Sequence, residues 1–308
     1  MKVITLTLNP ALDKNAKIDG LVPGSKLRCH SIRHQPGGGG INVSRLLKRL
    51  DLESYCVYPS GGDTGAYLTA LLKEEGLEPH PVTIKDWIRE NLSIVDTKTN
   101  MQYRFGMPGN ELSENELESI KKNISKYLDT GDFLILSGSL ASNLPQNFYS
   151  ELIQYFSDKN PKILVDTSGP SLLRALEHPV YLIKPNQREL AQLAGKEFLS
   201  NFEQEHFAKE LVDSGKAKYV AVSLGAKGAF LACKEGVFYQ STPSVQVKST
   251  IGAGDSMVAG LIYGINKGYK PIDILKMGVA CGVATIMSEG TSLANPENIQ
   301  KALHLMSS

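Results

Sequence analysis

Short apolar runs alternate along the chain with segments whose apolar residues recur at helical spacing. Such alternation indicates a mostly parallel sheet covered by helices on both faces. Strands are predicted at 2–8, 54–58, 92–96, 101–105, 132–137, 162–166, 180–183 and 219–223, with a hairpin over 228–240 and a short β-like run at 244–248. Helices are predicted at 41–47, 66–75, 113–128, 146–157, 170–176, 187–194, 203–213, 255–266, 271–286 and 296–305.

Two stretches interrupt this rhythm. Residues 13–34 mix polar and apolar positions around Gly20, Pro23 and Gly24, and they predict short surface strands. Residues 92–96 and 101–105 predict a strand pair joined by a polar turn. In a doubly wound sheet, ligands bind beyond the carboxyl ends of the strands. The polar motifs of this chain should therefore be sought directly after its strands.

Composition and charge narrow the class of protein. The 308 residues suffice for one large α/β domain or two smaller ones, and 42% hydrophobic with 21% charged residues is ordinary for a soluble globular protein. A net charge of +1 offers no field for nucleic acid or a membrane surface. The first ten residues alternate like a strand rather than a signal peptide, and the four cysteines lack metal-ligand spacing. We therefore expect a cytoplasmic protein with reduced thiols.

The segment 249–260, STIGAGDSMVAG, carries the strongest chemical signal. Small residues allow a close backbone approach to a ligand, and the following helix would present its N-terminal N–H groups to an anion. Asp255 is unexpected there, because a carboxylate beside an anion site is unfavourable unless it has a function. One interpretation makes Asp255 a general base beside a phosphate-binding turn. The alternative is a helix-capping aspartate after a glycine-rich turn.

Four successive glycines, Gly37–Gly40, precede the helix predicted at 41–47. Their backbone must approach either a ligand or a tightly packed strand, and the sequence leaves both open. Asn42 could bond a sugar hydroxyl or simply open the helix. Asp13, after the first strand, becomes a ligand candidate only if a polyol must be held.

Two further motifs follow predicted strands. In Lys184-Pro-Asn186-Gln-Arg-Glu189, the Asn and Glu oxygens suit Mg²⁺ held partly through water, although a capping box explains the same spacing. Ser223-Leu-Gly225-Ala-Lys-Gly228 could hold a nucleotide through backbone N–H groups or form a plain hairpin turn. Basic residues that suit a phosphate lie in or beside the irregular β regions, at Lys26, Arg89 and Arg104.

Taken together, GGGGINVS (37–44), KPNQRE (184–189), SLGAKG (223–228) and STIGAGDSMVAG (249–260) resemble the ribokinase-like, PfkB-type sugar kinases. The resemblance runs from residue 2 to about 305, with the motifs in family order. It implies a doubly wound α/β domain over 1–308 with a small β-sheet lid at about 13–34 and 87–107. In these kinases the lid often forms the dimer contact, so a homodimer through the lid is implied.

Within the family, the chain resembles the 6-phosphofructokinase branch. Ser249-Thr250 stands where many members have Asp-Thr. Gly39 stands where the 1-phosphofructokinase and tagatose-6-phosphate kinase branch usually has Lys. The implied activity is transfer of the γ-phosphoryl group of ATP to the 1-hydroxyl of fructose 6-phosphate, a step of glycolysis. The alternatives are the other two sugar-phosphate kinases and, outside the enzymes, an inactive sugar-phosphate sensor.

The resemblance also implies roles for individual residues. Asp255 would be the base, and Gly252, Ala253 and Gly254 would hold developing charge. The sugar phosphate would be held by Asp13, Lys26, Gly38, Gly39, Asn42, Arg89, Arg104 and Ser139. ATP would be held by Lys184, Asn186, Ser223, Gly225 and Gly228, and its Mg²⁺ ion, through water, by Asn186 and Glu189. A K⁺ ion is implied near Ser249, Ile251 and Gly290, although Ser292 replaces an arginine of the resembling kinase.

Overall fold

The structure is a computed structural model that describes residues 1–288 and 292–307. Thirteen strands and ten α-helices lie within those residues. The strands are β1 (Val3–Leu6), β2 (Ala11–Ile18), β3 (His30–Gly37), β4 (Tyr55–Ser60), β5 (Pro79–Thr83), β6 (Arg89–Asp96), β7 (Met101–Phe105), β8 (Phe133–Ser137), β9 (Lys162–Asp166), β10 (Val180–Ile183), β11 (Ala217–Ser223), β12 (Ala229–Cys233) and β13 (Gly236–Gln240). The helices are α1 (Gly39–Arg49), α2 (Gly62–Glu74), α3 (Glu114–Tyr127), α4 (Phe148–Tyr155), α5 (Gly169–Ala175), α6 (Gln187–Leu193), α7 (Asn201–Asp213), α8 (Ala253–Asn266), α9 (Pro271–Ile286) and α10 (Pro296–Leu305).

Nine strands form the main sheet, in the order β13-β12-β11-β10-β9-β8-β1-β4-β5. The seven neighbouring strands from β11 to β5 in this order pair in parallel, and β12 and β13 add an antiparallel hairpin at one edge. Every residue of β8 is buried: Leu134 and Leu136 pack in one hydrophobic cluster, and Phe133 and Ile135 in the cluster on the opposite face. Burial on both faces explains the continuous apolar runs in the sequence. The predicted α/β fold class is confirmed.

The two stretches that interrupt the α/β rhythm form a separate four-stranded sheet, in the order β3-β2-β6-β7. We call this sheet the lid. It consists of two antiparallel hairpins, β2–β3 and β6–β7, joined by the parallel pairing of β2 with β6. That pairing places Asp13 opposite Asn91. The lid strands connect almost directly to the main sheet, since four residues separate β1 from β2 and β3 ends two residues before α1 begins.

Three details of the predicted secondary structure are wrong. The edge strand β5 was not predicted, because Pro79 and Pro81 disguise it; proline is tolerated there because an edge strand has one unpaired side. The run 244–248 is an irregular segment outside any strand, held instead by bonds from the Lys248 and Ser249 amides to the Ile286 carbonyl of α9. Helix α2 begins at Gly62, four residues before the predicted start of the helix. Over the described residues, we find no helix with the length and apolarity needed to cross a bilayer.

Candidate active site

The first turn of α8 forms the centre of the candidate site. Gly252 is the residue before the helix and has φ 74°, in the left-handed region that glycine occupies without strain. A Cβ atom at this position would lie 2.7 Å from Leu293 Cδ2, so the turn also lacks room for a side chain. Asp255 lies within the first turn, which excludes the alternative in which it caps the helix. The turn therefore presents helix N-terminal N–H groups and one carboxylate to the same space.

Asp255 is half-buried, and Asn42 Nδ2 donates a 2.8 Å hydrogen bond to its Oδ2. Burial and the nearby negative charge of Asp166 raise the pKa of Asp255 to about 6, although the Asn42 bond and Lys184 act in the opposite direction. At neutral pH the carboxylate is ionised, yet its proton affinity is well above that of an exposed aspartate. A carboxylate with these properties suits general-base chemistry.

A polar cavity of about 640 Å³ lies beyond the ends of β8, β9 and β10. Lys184, only 8% exposed, pairs with Asp166 at 3.3 Å. Burial opposes the charge of Lys184, but Asp166, Glu189 and Asp255 outweigh that effect and raise its pKa. The cavity thus holds an ammonium group whose charged form is favoured by its neighbours, which suits a site for phosphate oxygens. Other residues that line it include Gly138, Ser139, Asn186, Glu189, Ser223 and Gly254.

An adjoining cavity of about 990 Å³ is predominantly apolar. Gly225, with φ 60°, and Gly228, with φ 107°, shape its edge, and a Cβ at Gly228 would collide with the Gln240 carbonyl. Its apolar wall comes from the segment 243–247 and from α9, through Val245, Val247, Val279, Val283 and Ile286. A flat apolar ring such as adenine suits such a slot. Asn186, Ser223 and Gly254 line both this cavity and the polar one, so the two cavities adjoin each other along these shared residues.

A third cavity, of about 390 Å³, lies in the lid. Arg89 and Arg104 line it with Asp13, whose Oδ1 accepts a 2.9 Å bond from Asn91 Nδ2. Burial raises the pKa of Asp13, against the lowering effects of Asn91 and both arginines. The Arg89 Nε atom is buried without a protein partner. Two guanidinium groups, one with an unused buried N–H, indicate a site for an anion.

All three cavities reach the same short segment. Ile251 lines the lid cavity, Ala253 lines the apolar cavity, and Gly254 lines the apolar and the polar cavities. Three differently polar spaces therefore meet within four residues of Asp255. Such an arrangement can place a phosphorylated acceptor, a charged phosphate chain and an aromatic base around one carboxylate.

The glycine run packs tightly against the strand ends of the main sheet. A Cβ at Gly40 would lie 2.8 Å from the Leu6 carbonyl oxygen, and one at Gly39 would lie 3.1 Å from the Gly138 amide and collide with the Ser137 hydroxyl. Close strand packing, one of the two interpretations left open by the sequence, therefore accounts for these two positions. Gly38 has φ 121°, and its carbonyl accepts a 2.9 Å bond from the Asn42 amide.

The Asn186–Glu189 pair forms a capping box at the start of α6, with both bonds at 2.9 Å. The box uses a single Glu189 oxygen, Oε2, so the structural explanation of this spacing and a metal role are compatible. No group of three or more His, Cys, Asp or Glu side chains placed to hold a metal occurs in the described residues. The oxygen donors that the box does provide, Asn186 and Glu189, fit Mg²⁺ bound mainly by phosphate oxygens and water.

The sequence model of the pfkB family of carbohydrate kinases matches residues 6–298. The chain belongs to this family. ATP-dependent 6-phosphofructokinase isozyme 2 of Escherichia coli K12 is 36% identical over 302 residues, covering 98% of this chain and 97% of the relative. The 1-phosphofructokinase of Bacillus subtilis 168 is 34% identical over 301 residues, covering 98% and 97%. The predicted resemblance is confirmed.

Crystal structures of phosphofructokinase-2 from Escherichia coli have the same fold. The complex with substrates and products has a TM-score of 0.96 at 36% identity and covers 100% of both chains. The potassium complex has a TM-score of 0.95 at 36% identity, and the tetrameric inhibited form has 0.93 at 35%; each covers 100% of this chain and 99% of the other. The implied ribokinase-like kinase fold is confirmed.

Most of the predicted site residues lie together in this family member, with two exceptions. Lys26 is exposed in the loop between β2 and β3 and lines none of the three cavities. Gly290, the second exception, lies outside the described residues. The other residues predicted near K⁺ are described: Ser249 is buried, and its hydroxyl accepts a 3.3 Å bond from the Ile251 amide. Ser139 lines the polar cavity and accepts a 3.0 Å bond from Asn9 Nδ2.

Sequence reasoning missed two residues of the site. Asp166, the last residue of β9, pairs with Lys184, and Asn91 anchors Asp13. A carboxylate at the carboxyl end of a buried parallel strand was the available signal for Asp166, since ligands of doubly wound sheets bind there. Nothing comparable marks Asn91, because its partner comes from a strand 78 positions away.

Proposed function

We propose that this pfkB-family chain transfers the γ-phosphoryl group of ATP to the 1-hydroxyl of fructose 6-phosphate. The supporting observation is the meeting of a basic cavity, a polar cavity and an apolar cavity at the first turn of α8, beside Asp255. The named activity of the Escherichia coli relative supports the choice of substrate. We treat residues 1–308 as one kinase domain with its lid.

Asp255 takes the proton of the 1-hydroxyl as the hydroxyl oxygen bonds to the γ-phosphorus and the bond to ADP breaks. Ionised Asp255 can accept that proton at neutral pH, because its pKa of about 6 lies below the working pH but close to it. The N–H groups of Gly252, Ala253 and Gly254 stabilise charge on the transferred group, at the positive end of α8. Positioning and electrostatics supply most of the rate in such transfers.

The acceptor occupies the lid cavity, with its 6-phosphate between Arg89 and Arg104. The unpartnered Nε of Arg89 supports this orientation, because a phosphate oxygen would satisfy it. Asp13 and Asn42 bind sugar hydroxyls, and the backbone of Gly38 and Gly39 approaches the sugar from the start of α1. Two further groups were predicted here: Ser139 reaches Arg89 only through Asn9, and exposed Lys26 has no support from the geometry of a single chain.

ATP spans the other two cavities. The adenine enters the apolar slot beside Gly225 and Gly228, and Lys184 pairs with the phosphates near Ser223. Asn186 and Glu189 would hold Mg²⁺ through water, and the bound ion would supply positive charge to the phosphates. Lid closure over the acceptor would exclude water and limit hydrolysis of ATP.

Two finer assignments are also proposals. The Escherichia coli enzyme has been crystallised with potassium, which supports a K⁺ site here; the ion would lie beside the carbonyls of Ser249 and Ile251. Turnover in KCl against NaCl tests this. A homodimer through the lid would cover apolar side chains that a single chain exposes there, including Leu21, Val22, Leu27, Ile32, Met101 and Phe105. The molar mass by light scattering tests the dimer, and a tetramer is an alternative because the Escherichia coli enzyme has one.

The experiment that tests the activity is a coupled ADP-release assay with Mg-ATP and three acceptors: fructose 6-phosphate, fructose 1-phosphate and tagatose 6-phosphate. We expect the highest kcat/KM with fructose 6-phosphate. A preference for fructose 1-phosphate would place the chain with its Bacillus subtilis relative, and one for tagatose 6-phosphate with the third kinase type. Tight binding of a sugar phosphate without any ADP release would indicate a sensor.

A further inference from the structure

Arg45 of α1 is the largest fully buried side chain among the described residues, with 1% of its surface exposed. Its guanidinium binds both oxygens of Glu75, from Nε at 2.9 and 3.1 Å and from Nη2 at 2.6 Å. Its remaining nitrogen, Nη1, donates to the Pro36 carbonyl at 3.0 Å and to Asn42 Oδ1 at 3.0 Å. Arg45 lines none of the three cavities, yet it is one residue removed from the carboxylate at their junction.

The bond from Arg45 determines how the Asn42 side chain is oriented. An asparagine amide has one accepting oxygen and one donating NH₂ group, and Arg45 can only donate. The Asn42 oxygen must therefore face Arg45, and its NH₂ group must face Asp255, to which it donates at 2.8 Å. The flipped amide would oppose donor to donor at Arg45 and acceptor to carboxylate at Asp255. Both contacts of that alternative are repulsive. The hydrogen bonds therefore run in one direction only, from Arg45 to Asn42 and from Asn42 to Asp255.

We propose that Arg45 is a positioning residue for phosphoryl transfer, which acts through Asn42 to hold Asp255 in one orientation as the base. This inference rests on the proposed function and adds a buried residue outside the cavities to it. The Asn42 NH₂ group has two hydrogens, and Asp255 takes one of them. The second stays available for a hydroxyl of the acceptor, so Arg45 orients the base and its neighbouring substrate contact together.

The ion pair with Glu75 explains why Arg45 itself does not move. Glu75 forms salt bridges with both Arg45 and Arg49. The two arginines outweigh the effect of burial and lower the pKa of Glu75. A bidentate pair with a buried guanidinium fixes the plane of the fork. Glu75→Gln is a matched control, because the glutamine oxygen can still accept a bond from Arg45 and the Arg45 bonds to Pro36 and Asn42 remain.

The acid side of the pH–rate profile gives a readout that a purely structural role would not move. The Asn42 bond lowers the pKa of Asp255, whereas Asp166 and Asp13 raise it and Lys184 lowers it. Loss of the Asn42 bond alone should therefore move the acid limb, the part of the profile where the rate falls as the pH is lowered, to higher pH. The phosphate of the substrate also titrates near pH 6, but equally for every variant. Differences between variants thus report on the protein.

The test compares the double variant Arg45→Met/Glu75→Gln with Glu75→Gln alone, both as full chains with thermal melts as a check of folding. Replacing Glu75 as well avoids leaving this half-buried carboxylate without its buried partner. We expect the double variant to lower kcat about tenfold, to leave KM for ATP within about twofold, and to move the acid limb up by about one pH unit. Glu75→Gln should retain the wild-type limb. Arg45→Lys keeps the charge but not the fork, and it should shift the limb in the same direction by less.

Repeating the Arg45 substitutions in an Asn42→Ala background decides between action through Asn42 and a direct charge effect. Action through Asn42 predicts that Asn42→Ala already shifts the limb and that the Arg45 change adds nothing. An equal further shift in that background would overturn the inference, as would an unshifted limb in folded Arg45 variants. Absence of phosphoryl transfer by the wild-type protein would instead refute the proposed function, so the two failures are distinguishable.

Discussion

Replacing Asp255 with asparagine should make the protein more stable and nearly inactive at the same time. The pKa of Asp255 rises from its usual 3.8 to about 6 in the folded protein, mainly because the carboxylate is half-buried. A difference of about 2.2 units corresponds to at most about 3 kcal/mol that the ionised group removes from the free energy of unfolding. Asparagine has the same shape, carries no charge and can still accept the hydrogen bond from Asn42.

The pH dependence of this effect has a definite sign. Between 3.8 and about 6 the folded state binds more protons at Asp255 than the unfolded chain does, because its folded pKa is higher. The contribution of Asp255 to stability therefore falls as the pH rises through this window and stays level above it. We expect Asp255→Asn to raise Tm by about 4 °C at pH 8 and to match the wild type near pH 4. Loss of the base should lower kcat by about 10²- to 10⁴-fold.

Calorimetry at several pH values and the coupled assay at pH 8 measure the two effects. Asp63→Asn is the matched control, since Asp63 also lies in the first turn of a helix, α2, but is exposed. That control should lose a few tenths of a kcal/mol, about the value of its interaction with the helix dipole, and keep full activity. A Tm difference that is absent at pH 8, or that persists unchanged at pH 4, would refute the desolvation argument. Near-normal turnover would remove Asp255 from the role of base.

Two other predictions concern the ligands. Arg104→Ala should raise KM for fructose 6-phosphate at least tenfold with little change in KM for ATP, because Arg104 lines the lid cavity only. Steady-state kinetics with each substrate varied in turn measures both constants. A larger rise in KM for ATP than in KM for fructose 6-phosphate would contradict the phosphate assignment. Glu189→Gln removes the charge near the metal, so the Mg²⁺ concentration for half-maximal rate should rise several-fold. The glutamine oxygen can still accept the capping bond from the Asn186 amide, so Tm should be nearly unchanged. An unchanged Mg²⁺ titration would exclude Glu189 from metal binding.

The core of the fold was predictable because burial dictates its sequence. Strands β9 and β10 were predicted to the residue, since uninterrupted apolar runs can only be buried on both faces of a parallel sheet. Edge segments carry no such constraint. The two prolines of β5 were compatible with that position alone, and the run 244–248 has strand-like residues but no neighbouring strand to pair with.

The site was predictable where one motif contains both the backbone shape and the chemistry. Gly252 and Asp255 lie in one turn, so the sequence shows the left-handed residue and the carboxylate together. Interactions between distant segments were not predictable. Neither the Asp166–Lys184 pair nor the bond from Asn42 to Asp255 has a local sequence signature, because each joins side chains from separate segments of the chain.

The lid consists of two hairpins that meet along one seam, the pairing of β2 with β6. The cavity that carries the two arginines straddles this seam, with Asp13 contributed by one hairpin and Arg89 and Arg104 by the other. A ligand bound there bridges both hairpins and reinforces a junction whose two sides are far apart in the chain. Since anything that binds only the intact cavity stabilises it by mass action, occupancy of the lid and its resistance to local opening are thermodynamically linked. A ligand of this cavity would therefore also stabilise the sheet that binds it.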